Sequence, residues 1–96
     1  MPFAIVLAPE AVEDLKRLKP AVRATVKGAL ETHLRHEPEK TSRSRIKRLR
    51  GLSRPQYRLR VGDTRVFYDV EDGVVEVLAI VPKSETAAWL AQFGRL

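Results

Sequence analysis

Two short turn signals, Gly62-Asp63 and Asp72-Gly73, stand with eight residues between them. They leave the C-terminal half of this 96-residue chain little choice but an antiparallel meander. Gln56 to Val61 alternates, with Tyr57, Leu59 and Val61 on one side and Gln56, Arg58 and Arg60 on the other. Thr64–Glu71 and Val74–Val81 are the strands that the turns connect, and Pro82 ends the sheet. Ahead of the meander, Phe3–Leu7 reads as a short buried strand ended by Ala8-Pro9. Pro9 suits a first helical turn, and Ala11, Val12, Leu15 and Leu18 fall on one helical face. Lys19-Pro20 breaks that helix and opens another, on which Val22, Val26, Ala29, Leu30 and His33 recur at helical spacing until Glu37-Pro38. After Pro82, Ser84 is the expected cap of a short helix over Ala87–Ala91 that ends by Gly94. Ile46–Leu52 alternates too weakly to be assigned. The expected class is α+β: an N-terminal strand, a helix hairpin, a three-stranded antiparallel meander and a short C-terminal helix, forming one domain over residues 1–96.

Composition narrows what such a domain can do. With 44% apolar residues it can bury one modest core, and no apolar run approaches the ~18 residues of a membrane span. The Met1–Leu7 segment has neither a basic lead nor a small-residue cleavage site, so no secretory leader is expected and the compartment reads as cytoplasmic. No cysteine is present, which excludes thiol catalysis and disulfide frameworks. Two histidines without ligand spacing give no reason to expect a metal, and no cofactor is expected.

The charge is unevenly placed. The chain carries +6, but Lys40–Arg65 alone holds ten basic residues and one acidic residue, +9, leaving −3 for the rest. Concentration in one segment is the footprint of a polyanion partner. The hairpin geometry sharpens it. With Gly62-Asp63 as the loop, Arg60 lies across from Arg65 and Arg58 across from Phe67. Tyr57, Leu59, Val61, Val66, Tyr68, Val70, Val75, Val77 and Ala79 then form a face for the helices to cover. Arg58, Arg60 and Arg65 share the other face with Phe67, Leu78 and Ile80. Like charges set directly opposite on a sheet destabilise it. A solvated face whose guanidinium groups pair with Asp69 and Glu76 is the plainer reading. A phosphate-binding surface accounts better for Arg against Arg, because guanidinium forks match phosphate oxygens and keep their charge.

The element order resembles the RelE/ParE superfamily of type II toxins, together with Lys47-Arg48-Leu49-Arg50-Gly51, Tyr57-Arg58-Leu59-Arg60-Val61-Gly62-Asp63 and Arg65-Val66-Phe67-Tyr68-Asp69-Val70. The resemblance spans essentially the whole chain. It implies a toxin whose cognate antitoxin blocks the basic face with an acidic amphipathic segment, with operator DNA bound only through that complex. In the RelE-like branch it implies cleavage of messenger RNA on the ribosome, with Arg58, Arg60 and Arg65 as catalytic positions. The branch also carries an Arg after the last strand and a Tyr on the following helix. Here the nearest residues are Lys83 and Trp89.

Around that core, Lys47, Arg48, Arg50 and Lys83 are candidate RNA contacts, and Phe67 and Trp89 candidate stacking rings, with Trp89 more readily a core anchor. Attack by a ribose 2′-OH needs a proton acceptor, which arginine supplies poorly. Glu76 and Asp69 are the candidate bases on that face, the alternatives being ribosomal RNA or positioning alone. His33 and His36 read as helix-end decoration on the far side of the sheet. Three activities stay open: a ribosome-dependent endonuclease, a non-enzymatic ParE-like gyrase inhibitor, and an RNA-binding protein without catalysis.

Overall fold

The computed structural model describes residues 2–96. The chain runs β1 (Ala4–Leu7), α1 (Pro9–Arg17), α2 (Pro20–Leu34), β2 (Ile46–Arg48), β3 (Tyr57–Val61), β4 (Thr64–Glu71), β5 (Val74–Pro82), a 3-10 turn (Lys83–Glu85) and α3 (Thr86–Phe93). The strands form one sheet in the order β1-β5-β4-β3-β2. β1 runs parallel to β5 and every other pairing is antiparallel. The two turn signals act as expected. Gly62 takes φ 57°, and Asp72 and Gly73 take 50° and 75°, the left-handed values that match a hairpin turn to strand twist. The unassigned stretch contributes β2, a three-residue edge strand paired through Lys47 and Arg58, so the antiparallel part has four strands rather than three. Ser42 N donates to Ile46 O at 2.9 Å, closing part of that edge against further pairing.

The helices cover one sheet face. Ala11, Leu15, Val26, Leu30 and Leu34 pack with Leu59, Val66, Tyr68, Val75 and Val77 in the main core. A smaller cluster lies on the other face, where Phe67, Ala79 and Val81 are covered by Leu49, Trp89 and Leu90. The two faces differ from the sequence expectation at two positions, and one bulge accounts for both. Tyr68 pairs with Val77 but Phe67 with Ala79, so Leu78 is an extra residue in β5. A one-residue slip exchanges the faces beyond it. Ile80, 3% exposed, therefore joins the helix-side core, and Ala79, 1% exposed, joins the arginine side.

The bulge is held from the helix layer. Asp14 Oδ2 accepts the Ile80 backbone N–H at 3.0 Å while Oδ1 accepts from Arg17 at 3.1 Å. Asp14→Ala leaves that N–H without its acceptor and is expected to cost about 1–3 kcal/mol, with Asp14→Asn costing less because its carbonyl still accepts. Urea titration of the two variants checks the order.

Ser84 does not cap α3. It lies inside the 3-10 turn, and Glu85 occupies the cap position without a side-chain hydrogen bond. The start is set instead by Lys83 N donating to Asp63 O at 2.7 Å, which draws the segment onto the β3–β4 hairpin. At its other end α3 stops at Gly94, as expected; an added Cβ there would sit 2.6 Å from Leu90 O. The backbone then bridges Arg95 to Arg54, fastening the C-terminal end to the loop before β3.

Candidate nucleic-acid interface

The side of the sheet away from α1 and α2 is divided by α3. One part is apolar and covered, and the rest is basic, with Lys47 and Arg60 exposed, Arg58 half-buried and Arg65 buried. Register builds the basic part: Lys47 lies opposite Arg58, Arg60 opposite Arg65, and Arg65 opposite Val81. Directly opposed side chains have Cβ atoms roughly 5 Å apart, so four cations share one small area.

Each arginine is held differently. Arg58 donates from Nη2 to Ser44 O at 2.9 Å, and its Nε is enclosed with no acceptor. Burial, then the charges of Arg65 and Arg60, hold its pKa below the ordinary arginine value. It stays charged in any physiological solution. Arg65 is 8% exposed and spends Nη1 on the carbonyls of Gly62 (2.8 Å) and Thr64 (3.2 Å), so it is locked to its own hairpin. Arg60 is exposed, with its backbone N–H on Arg45 O at 2.8 Å.

Among the described residues, no carboxylate forms an ion pair with Lys47, Arg58, Arg60 or Arg65. Asp69 and Glu76 are engaged by Arg54 instead, at 3.4 Å and 3.2 Å. That removes the pairing on which the plainer reading depended. It also takes Glu76 out of the candidate base position. Asp69 pairs with Glu76, four residues along β4 from Arg65, which is about 13 Å at strand rise.

The remaining candidates separate. Phe67 is 0% exposed, with Trp89 stacked on it at 4.8 Å and 6°, so its ring has no face for a base. Trp89 is a half-buried anchor of the small cluster, tilted against Phe93. Arg48 belongs to the opposite side, over the Tyr57 ring at 5.3 Å, with Nη1 donating to the carbonyls of Leu49 and Gln56. Arg50 is exposed in the turn after β2, and Lys83 is exposed beside the β3–β4 hairpin. His33 is not mere decoration: its Nε2 accepts from Arg45 Nη1 at 2.9 Å. Sequence reasoning also missed Arg54, because its Ser-Arg-Pro setting has no periodicity to mark it.

Residues 5–87 match the family described as the ParE toxin of the type II toxin-antitoxin system parDE. The chain belongs to this family. No curated protein sequence matches it. Among solved structures, this ParE-family toxin is similar to a chain of the toxin-antitoxin complex RelBE2 from Mycobacterium tuberculosis. The two are 25% identical, over 85% of this chain and 99% of that one, with a TM-score of 0.74. A chain of the archaeal RelE-RelB complex from Pyrococcus horikoshii OT3 is 27% identical over 86% and 97%, with a TM-score of 0.71. An arginine-substituted mutant of the Escherichia coli toxin RelE in the free state shares the fold, at 23% identity, 93% and 92% coverage and a TM-score of 0.68. The toxin is thus a RelE/ParE superfamily member with a mixed five-stranded sheet. Among its described residues, no helix is long and apolar enough to cross a membrane.

Proposed function

We propose that this toxin blocks translation by holding messenger RNA on the ribosome at a scissile phosphate, gripped by Arg58, Arg60 and Arg65, and cutting it there. The carboxylate-free cluster carries the reading: three guanidinium groups and Lys47 left without acidic partners favour an anion with several oxygens. In the reaction, the ribose 2′-oxygen bonds to phosphorus, the bond to the 5′-oxygen breaks, and the 2′ proton passes to an acceptor while the leaving oxygen gains one. The arginines supply orientation and stabilise charge on the phosphate. Arg54 occupies Asp69 and Glu76, so the acceptor comes from the ribosome, and naked RNA is bound but not cut. The partner that silences the toxin is an antitoxin with an acidic amphipathic segment, in keeping with the complexes formed by the similar Mycobacterium and Pyrococcus proteins. It acts in the cytoplasm, and operator DNA is bound only through the antitoxin complex.

One observation favours a second reading. The matching family is ParE, and a cluster without its own proton acceptor also suits a non-enzymatic inhibitor of gyrase. Parallel assays of cell-free translation and gyrase supercoiling separate the two: loss of translation alone supports the RNA reading, and loss of supercoiling alone overturns it. Salt tests the grip. With the scissile phosphate and its two neighbours all engaged by the arginines and Lys47, three neutralised phosphates on single-stranded RNA predict a log–log slope of about −2, close to a twentyfold loss of affinity between about 50 and 200 mM salt. Arg60→Ala is expected to reduce the slope by about 0.7, measured by fluorescence anisotropy on oligouridine.

A further inference from the structure

We propose that His33 is a positioning residue for the arginine cluster, acting through Arg45 as a pH-sensitive clasp on the loop that holds Arg58. The inference rests on the RNA reading above and adds a control to its site. The loop between α2 and β2 is a stiff unit. Ser42 Oγ accepts the N–H groups of Arg45 (3.0 Å) and Ile46 (3.3 Å), and Ser42 N donates to Ile46 O. Two consecutive carbonyls of this unit reach the cluster: Ser44 O takes Arg58 Nη2 and Arg45 O takes Arg60 N. Beyond Arg35, whose guanidinium pairs with Glu31, the side-chain hydrogen bond that ties the described residues of this loop to the helices is the one from Arg45 Nη1 to His33 Nε2. The imidazole near the end of α2 and the guanidinium of Arg58 are therefore two ends of one short chain of contacts.

The contact works in one protonation state. Nε2 accepts only in the neutral ring with its proton on Nδ1; the imidazolium has no lone pair to offer and repels Arg45. Burial first, and then the Arg45 charge, hold the His33 pKa below its ordinary 6.5. The clasp is closed at neutral pH and opens as pH falls through that lowered value. The surrounding charges do not substitute for it. Glu37 and Lys40, which border the same hollow, pair with each other at 3.4 Å, and on the helix Glu31 is taken by Arg35. Stability follows the same sign. Between the folded and unfolded His33 values the unfolded chain binds more protons, so this contribution is complete above the ordinary pKa and is lost as pH falls.

Two readouts on the full chain test this. By NMR, the Arg58 Nε–H signal should shift and exchange faster as pH is lowered, following the titration of the His33 ring. In anisotropy with oligouridine at about 0.15 M salt, where the added charge is screened beyond about 8 Å, wild-type affinity should fall about fivefold between pH 7.5 and pH 5, roughly one hydrogen bond's worth. His33→Gln retains a neutral acceptor and should bind like the wild type at neutral pH, with no fall. His33→Ala should be weaker throughout and equally flat. The same pH profile in wild type and His33→Gln, or an Arg58 signal indifferent to His33, overturns the proposal. An Arg58 signal that follows His33 in a protein that binds no RNA supports the clasp and overturns the RNA reading instead.

Discussion

Replacing Arg58 and Arg60 together with alanine is expected to abolish growth arrest on expression while leaving the domain folded. A hydrogen bond to a charged group contributes about 1.5–3 kcal/mol, so two lost phosphate contacts amount to about 3–6 kcal/mol, or roughly 150- to 25,000-fold in affinity or rate. The stability change should run the other way. Arg60 sits directly across from Arg65, and Arg58 carries a partly enclosed charge among like charges with its Nε unpartnered. Removing such neighbours relieves repulsion worth a few tenths of a kcal/mol or more. The paired outcome, activity lost and melting temperature held or raised, marks a surface kept for binding rather than for folding. Arg65 is the wrong probe, because its bonds to Gly62 O and Thr64 O tie it to the hairpin.

The largest stability effect is expected at Tyr68. Its ring is fully buried in the main core and stacks on Tyr57 at 5.4 Å, and its hydroxyl donates to Pro38 O at 2.6 Å. Burial, with the nearby Tyr57 and Glu39, pushes the phenol pKa well above its ordinary value, so it remains a donor across the working range. Tyr68→Ala removes ring and bond together and should cost about 3–5 kcal/mol, much of the ~5–15 kcal/mol that holds a domain of this kind. Tyr68→Phe keeps the ring but strands the Pro38 carbonyl, for about 1–3 kcal/mol. Denaturant titration should rank wild type above Phe above Ala, and a Phe variant as unstable as the Ala variant would assign the effect to the hydroxyl alone.

Local signals carried much of this fold. Strands β3 to β5 were legible because alternation and turn chemistry act between near neighbours, and the same alternation put Arg58, Arg60 and Arg65 on one face. The β5 bulge was not, since Val74–Val81 is apolar on both sides of the strand except at Glu76 and gives no sign of where the phase slips. β2 escaped because three residues hold no pattern, and its pairing with β3 is what defines it. The same limit applies to the site. The arginines follow from strand parity, whereas the capture of Asp69 and Glu76 by Arg54, and the covering of Phe67 by Trp89, are tertiary events joining distant segments. His33 was discounted for that reason: its partner Arg45 is twelve residues away, in a loop without periodicity.

If a carboxylate-free guanidinium cluster cuts message with a proton acceptor it does not itself contain, cleavage must depend on the ribosome. Primer extension on a translating message, with ribosomes present and absent, tests this most directly. Cuts are expected within the reading frame only when ribosomes are present, and none from the Arg58→Ala, Arg60→Ala protein. Cuts in naked RNA, or none at all from folded, antitoxin-free wild-type protein, would contradict this.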